Sequence, residues 1–171
     1  MEKKQTVRIG NKAPDFILDD HNEKPFKLFD FNGKKILLSF HPLAWTSVCA
    51  QQMQSLEENK KYFDRTNTIA VGISVDTTPS KKAWAQYLGI KNTRLLSDFW
   101  PHGAVAKQYG IFRENDGISE RTNIIVDEEQ NISFMKTYPI SQLPNIQEII
   151  RFLEQKNVTK IVVKNVKQKS L

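Results

Sequence analysis

The chain has 171 residues, 39% hydrophobic and 26% charged, the balance of a globular protein large enough for one full core and too short for two ordinary domains. Its formal net charge is +6 at pH 7, but Lys156, Lys160, Lys164, Lys167 and Lys169 supply five of those charges within the last sixteen residues, leaving +1 for the rest. With no Lys/Arg stripe interleaved with aromatics in the body, that distribution argues against a nucleic-acid module and assigns the basic balance to a tail used for solubility or local docking.

In chain order, residues 11–18 and 24–28 alternate as short strands about a polar turn at 19–23. Asn32-Gly33 is a turn dipeptide leading into an apolar run, residues 35–40, which predicts the central strand. Pro42 ends that run because it offers no N–H to a ladder. Thr46 or Ser47 is placed to cap a helix predicted over 46–64, whose stripe of Cys49, Met53, Leu56 and Phe63 faces a core. Residues 69–75 are apolar on both faces, as in a buried parallel strand. Thr78-Pro79-Ser80 opens the next helix, with Ala83, Trp84, Tyr87 and Leu88 on one side and Gly89 closing it. Leu95-Leu96-Ser97 suits an edge strand, 104–109 a short helix ended by Gly110, and Asp116-Gly117 a turn. Residues 122–126 and 132–135 predict a hairpin, and Leu143-Pro144 opens a last helix with Ile146, Ile149, Ile150 and Leu153 at helical spacing. Strand, helix, strand, helix, then a hairpin and a closing helix, is the grammar of an α/β sandwich. One domain is expected over 1–155, followed by a Lys-rich tail over 156–171.

Cys49 is the only cysteine. It falls in the first turn of its predicted helix, where free backbone N–H groups and the positive end of the helix dipole favour a thiolate. The same stripe also suits a small buried core residue. A lone cysteine allows no intrachain disulfide and fits a reducing compartment. No stretch approaches a membrane span, and Met1 to Arg8 holds no apolar signal core, so a cytoplasmic protein is expected.

Pro42, Thr46 and Cys49 form Pro-x-x-x-Thr-x-x-Cys, which resembles the active-site signature of the peroxiredoxins, the AhpC/TSA thiol peroxidases, in the strand–turn–helix setting that signature needs. Asn11-Lys12-Ala13-Pro14-Asp15-Phe16, Gly33-Lys34-Lys35, Ile73-Ser74-Val75-Asp76 and Leu95-Leu96-Ser97-Asp98 are similar to family segments at the same places. The run Phe99-Trp100-Pro101-His102-Gly103 resembles the one-cysteine subgroup of alkyl hydroperoxide reductase E type. The likeness covers residues 11–153.

The resemblance implies a thioredoxin-like three-layer α/β sandwich, with a mixed central sheet and an N-terminal strand extension. It implies a peroxidase that reduces hydrogen peroxide and organic hydroperoxides through Cys49, and a homodimer, with no metal or organic cofactor, no nucleic acid and no membrane. Arg121 matches the arginine that completes the family's site, a charge that is not lost at physiological pH. Thr46 is placed to bring its hydroxyl near sulfur and peroxide, and Pro42 to shield the sulfur from water. The backbone N–H groups of Val48 and Cys49 are placed to bind the peroxide and the charge developing on the departing oxygen. Gln52 stands where the family often has Glu, and keeps an acceptor for the arginine without a negative charge. No resolving cysteine is present, so an external thiol must reduce the sulfenic acid: thioredoxin, glutaredoxin, a rubredoxin-like protein or a small thiol.

Rival chemistries fit less well. Residue 52 is Gln, which removes Cys-x-x-Cys dithiol chemistry, and Ala50 to Ser55 hold no arginine for a cysteine phosphatase loop. A Cys–His hydrolase needs His41 or His102 to reach the sulfur. His41 points elsewhere on most strand-end geometries, and His102 is expected to satisfy backbone groups in a turn. The three histidines and one cysteine have no metal-ligand spacing. The non-enzymatic alternative is a redox sensor or binding module on the same fold, which would oxidise without turning over.

Overall fold

The structure, a computed structural model, describes residues 7–168, with side chains described through Asn157. Expectations that rest on Met1 to Thr6, on the Lys-rich tail's side chains beyond Asn157, or on its apolar Ile161-Val162-Val163, lie outside the described residues.

The apolar run becomes β3 (Lys35–Phe40), buried at every position. It pairs in parallel with β4 (Thr68–Ser74), which pairs in parallel with β5 (Arg94–Ser97). On its other side β3 runs antiparallel to β8 (Arg121–Val126), which forms a hairpin with β9 (Ile132–Tyr138). The sheet order is thus β5-β4-β3-β8-β9, mixed, with β3 at its centre. This is the α/β sandwich that the strand and helix order predicts, in the thioredoxin-like form that the resemblance implies.

Alternation along β3 divides the core in two. Leu37 faces a cluster with Cys49, Met53, Trp84, Ile125 and Ile149. These come from β8 and from α1 (Ser47–Glu58), α3 (Thr78–Leu88) and α5 (Ile146–Gln168). Ile36, Leu38 and Phe40 face the opposite cluster, closed by α4 (Ala104–Gln108) and the N-terminal hairpin β1 (Ile17–Asp19) and β2 (Pro25–Lys27). That hairpin is a sheet of its own, joined to β5 by the bridge between Asp20 and Leu96 and by Arg94, which donates to Asp20 and to the carbonyls of Lys24 and Pro25. Gly72 on β4 is needed for close approach, since a Cβ there would collide with the sulfur of Met53. Among the described residues no helix is long and apolar enough to cross a membrane.

Several boundaries differ from the sequence reading. The helix predicted over 46–64 is two helices, α1 and α2 (Lys60–Arg65), broken at Asn59. The Asn59 amide donates to the Ser55 carbonyl at 2.8 Å, a side-chain competitor for the helix ladder. The inward face of α3 is Lys81, Trp84 and Ala85 with half-buried Leu88, while Ala83 and Tyr87 face outward. Gly89 does close α3, in the left-handed conformation at φ 70°. A short hairpin, β6 (Phe112–Arg113) and β7 (Ile118–Ser119), surrounds the Asp116-Gly117 turn. The last helix starts two residues after Pro144, where Asn145 accepts from the Gln147 N–H at 3.0 Å, and it continues to Gln168 across the expected domain boundary.

Glu57, near the end of α1, clamps the segment that enters β5. Its carboxylate accepts from the backbone N–H groups of Lys91 (3.0 Å), Asn92 (3.0 Å) and Thr93 (2.8 Å), and from the Thr93 hydroxyl and Asn92 amide at 2.8 Å each. Partial burial opposes the charge, but these donors pull the carboxyl from its ordinary 4.5 down to about 2. The folded state therefore holds Glu57 ionised more tightly than the unfolded chain does. That stabilisation is full above about pH 4.5 and is lost as the pH falls toward 2. Glu57→Ala is expected to cost about 1–2 kcal/mol at pH 7, allowing for solvent screening. Urea denaturation should show the difference between wild type and variant shrinking below pH 4; a constant difference down to pH 2 would remove the clamp from this role.

Candidate active site

Cys49 is the third residue of α1, after Thr46, Ser47 and Val48, and its side chain is 0% exposed. It is therefore both a first-turn cysteine and a core residue, the two readings its spacing allows. Pro42, also buried, starts the loop that carries the chain from β3 to α1. Asp76 pins this loop, accepting from the Ala44 N–H at 2.9 Å and from the Ser74 hydroxyl at 2.6 Å. Trp45 sits at φ 68°, an unusual conformation for a bulky residue. Its indole donates to Ser80 Oγ at 3.0 Å, and its ring lies 5.7 Å from Tyr87.

Thr46 has the backbone of an N-cap residue (φ −100°, ψ 148°), but its side chain does not cap. Its hydroxyl instead donates to Leu43 O at 2.9 Å, correcting the expectation of a side-chain cap from this position. The first backbone N–H after it to close on a carbonyl is that of Ala50, to Thr46 O at 2.9 Å. The N–H groups of half-buried Val48 and of Cys49 thus lie ahead of the helix ladder, at the positive end of α1.

Arg121 opens β8, one register position beyond the pair Thr122–Phe40, which brings it beside the end of β3. The residue is 2% exposed, and its Nη1 lies 3.4 Å from Cys49 Sγ and donates to Gln52 Oε1 at 2.6 Å. Nε and Nη2 donate to the carbonyl of Ile140, at 3.0 and 2.8 Å. These contacts are neutral or made with the cysteine, so among the described residues no carboxylate hydrogen-bonds to this arginine. Gln52 is itself fixed: its amide donates to Ser39 Oγ (2.7 Å) and Phe40 O (3.2 Å), and Ser39 donates to Asn123 Oδ1 at 2.8 Å. Cys49, Gln52 and Arg121 are thus brought into direct contact, while Thr46, Val48 and Pro42 frame the same turn.

The histidines are not base partners for the sulfur. Both ring nitrogens of His41 are buried without a hydrogen-bond partner, and its ring lies 5.5 Å from that of Trp84. Burial first, and then the charges of Lys81 and Arg121, hold His41 well below the usual imidazole range, so it is neutral. His102 Nε2 donates to the carbonyl of Gly117 at 2.6 Å, the backbone role expected of it. The residues that sequence reasoning left without a role are Ser39, Asn123, Asp76 and Lys81. Ser39 and Asn123 carried a signal, as polar residues adjoining the apolar runs Ile36–Leu38 and Ile124–Val126, and they stand opposite each other in the β3–β8 register.

Residues 9–135 match the AhpC/TSA family. Alkyl hydroperoxide reductase E of Mycobacterium bovis is 40% identical over 129 residues, covering 75% of this chain and 84% of that protein, and the Mycobacterium tuberculosis protein of that name matches equally. Peroxiredoxin-1 of Gekko japonicus is 31% identical over 159 residues, covering 85% of this chain and 77% of its own. The crystal structure of Enterococcus faecalis AhpC superposes with a TM-score of 0.82 at 25% identity, over 91% of this chain and 95% of that one.

The contact between Gln52 and Arg121 yields an expectation for charge. Gln52→Glu keeps an acceptor for Arg121, loses the donations to Ser39 Oγ and Phe40 O, and places a negative charge beside the sulfur. Alkylation of Cys49 by iodoacetamide should then move to higher pH, with a loss of roughly threefold or more at pH 7. A pH profile superimposable on wild type would show that Arg121 does not carry its charge to the sulfur.

Proposed function

The chain belongs to the AhpC/TSA family as a one-cysteine thiol-dependent peroxidase, and we propose that it reduces hydrogen peroxide and organic hydroperoxides through the thiolate of Cys49. The observation that carries this is the contact of Arg121 Nη1 with the chain's only sulfhydryl sulfur at 3.4 Å, made by a guanidinium with no carboxylate hydrogen-bonded to it. A cation so placed favours the ionised sulfur, and the first turn of α1 adds its dipole in the same sense.

In the proposed reaction the thiolate attacks one peroxide oxygen, an S–O bond forms and the O–O bond breaks. The departing alkoxide or hydroxide takes a proton and leaves as alcohol or water. Cys49 is then a sulfenic acid, oxidised by two electrons. The N–H groups of Val48 and Cys49, with Arg121, are the donors available to the departing oxygen. Thr46 lies at the mouth of the turn with its hydroxyl hydrogen committed to Leu43 O, which leaves its lone pairs to orient the peroxide proton. Pro42 closes the turn against water. A first external thiol then attacks the sulfenic sulfur, releasing water and forming a mixed disulfide, and a second thiol restores Cys49. The sulfur is 0% exposed, so the first turn must open before either thiol reaches it. Thioredoxin, glutaredoxin, a rubredoxin-like protein and small thiols all meet that chemical requirement. A reducing compartment, the cytoplasm, suits a protein that works with its only cysteine free.

Assembly as a homodimer is part of this reading. Trp100 is 80% exposed, Trp45, on the Cys49 loop, 52% and Phe99 46%, large apolar groups on loops that a second copy would bury. Light scattering at micromolar concentration should give the mass of two chains; a monomeric mass would refute this.

Cys49→Ser should abolish peroxide consumption while leaving the circular dichroism spectrum unchanged. Turnover by that variant would sink the cysteine mechanism. Arg121→Ala is expected to slow the reaction at neutral pH by about tenfold or more and move its pH–rate profile upward. In intact-mass spectra, one equivalent of peroxide should add one oxygen to Cys49, and a small thiol should then give a mixed disulfide that a second thiol reverses. Oxidation without turnover by any thiol would leave the sensor alternative in its place.

A further inference from the structure

Lys81 lies on the inner face of α3 with its side chain 0% exposed, and its Nζ has no hydrogen-bond partner. A buried amine is ordinarily paired, because removing its charge from water without compensation is costly. The carboxylates that act on it are already engaged. Asp76 accepts from Ala44 and Ser74, and Asp98 accepts from the N–H groups of Val105 (3.0 Å) and Ala106 (2.9 Å). Lys81 is therefore not held in place by an ion pair, and packing of α3 keeps its head group where it is. Trp84, one turn further along, lies against His41, and Ser80 receives the indole of Trp45, so this end of α3 is built into the back of the Cys49 loop.

The groups that face Lys81 come from several elements. Asp76 follows β4, Asp98 follows β5, and Cys49 lies on α1; all three act to keep the amine charged. His41, at the end of β3, and His21, beyond β1, both feel its positive charge, and Arg121 on β8 acts on His41 from the other side. His41 is neutral and does not compete for the sulfur. The interaction of Lys81 with Cys49 is reciprocal: a thiolate favours the protonated amine, and the protonated amine favours the thiolate by the same amount.

We propose that Lys81 is a second cation of the Cys49 site, behind the loop that Arg121 faces from the sheet, and that it supports the thiolate while protonated and ceases to do so when neutral. This rests on the reading of Cys49 as the reacting thiolate. Burial pulls the Lys81 amine from its ordinary 10.5 down to about 7, against the attraction of Asp76, Cys49 and Asp98. Its contribution is consequently full in mildly acidic solution and fades above neutrality.

The test is the pH dependence of Cys49 alkylation by iodoacetamide, which reads the thiolate without peroxide or reductant, on the full chain and on Lys81→Met and Lys81→Arg. Lys81→Met conserves length and removes a buried charge, so it should fold. It should react roughly three- to tenfold more slowly than wild type near pH 6 and at the wild-type rate near pH 8.5. Lys81→Arg, charged throughout, should recover the rate at pH 6. A Lys81→Met profile superimposed on wild type, or one slowed equally at every pH, would overturn the proposal; the second pattern would mark a packing role. Stability supplies an independent reading. The unfolded amine keeps its proton up to about 10.5 and the folded amine loses it near 7, so wild type should gain stability relative to Lys81→Met as the pH rises through that window. A difference that does not change with pH would also count against it. Shifted alkylation with no peroxide turnover would fault the proposed function and leave this inference standing. Normal turnover with unshifted alkylation would do the reverse.

Discussion

A guanidinium and a sulfur in contact at 3.4 Å, both removed from water, are the constraint around which this molecule is arranged. Burying an arginine is costly unless its donors are satisfied. Here they are satisfied mainly by neutral acceptors: the Ile140 carbonyl takes two and the Gln52 amide oxygen one. A carboxylate in the place of Gln52 would stabilise the arginine more and the thiolate less. The chain accepts a less fully compensated cation and directs its charge at Cys49. The sheet makes this possible, because the antiparallel pairing of β3 with β8 places Arg121 just past the strand end from which the Cys49 loop departs.

The first turn of α1 obeys the same logic. A threonine at the N-cap would ordinarily use its oxygen to cover the exposed N–H groups of the helix. Thr46 turns its hydroxyl to Leu43 O instead, and Asp76, Ser80 and Tyr87 hold the loop from outside. Stability that the cap would have supplied locally comes from tertiary contacts, and the first-turn N–H groups of α1 stay unclaimed by a capping side chain. The left-handed Trp45 belongs to this arrangement, since local strain persists where surrounding contacts over-determine a conformation.

Much of this was legible in the chain. The central strand, the edge strand, the hairpin β8–β9 and the Gly89 stop all follow from apolar periodicity and turn chemistry, which are local. Pro42, Thr46, Cys49 and Arg121 stand in recognisable surroundings, and the structure brings Cys49, Gln52 and Arg121 into contact. What could not be read was decided by tertiary contact. Asn59 is a weak helix former, but not one that by itself stops a helix, and its bond to Ser55 O and its cap backbone divide α1 from α2. Tyr87 looks like a core aromatic at helical spacing and is 77% exposed, whereas Lys81, the charged residue of the same stretch, is 0% exposed. Periodicity assigns a face to a helix only when hydrophobicity decides which residues are buried, and on α3 it does not.

The close approach of Gly72 to Met53 has a mechanical meaning. With no side chain on β4 at that point, the Met53 thioether rests directly on the sheet backbone, and Met53 is 0% exposed. The middle of α1 therefore has no slack: lifting it would open a void against β4 and strip a close-packed sulfur of its neighbours. Gln52, bonded to Ser39, Phe40 and Arg121, is held with it, so the opening that exposes Cys49 is confined to the first turn of α1, ahead of Gln52. Gln52 and Met53 together are then the fulcrum, and the travel of Cys49 is limited to what one turn pivoting about them allows. The scaffold stays rigid while its reactive end moves, and a second oxidisable sulfur, one turn away, remains sealed from the oxidant that the first is there to meet.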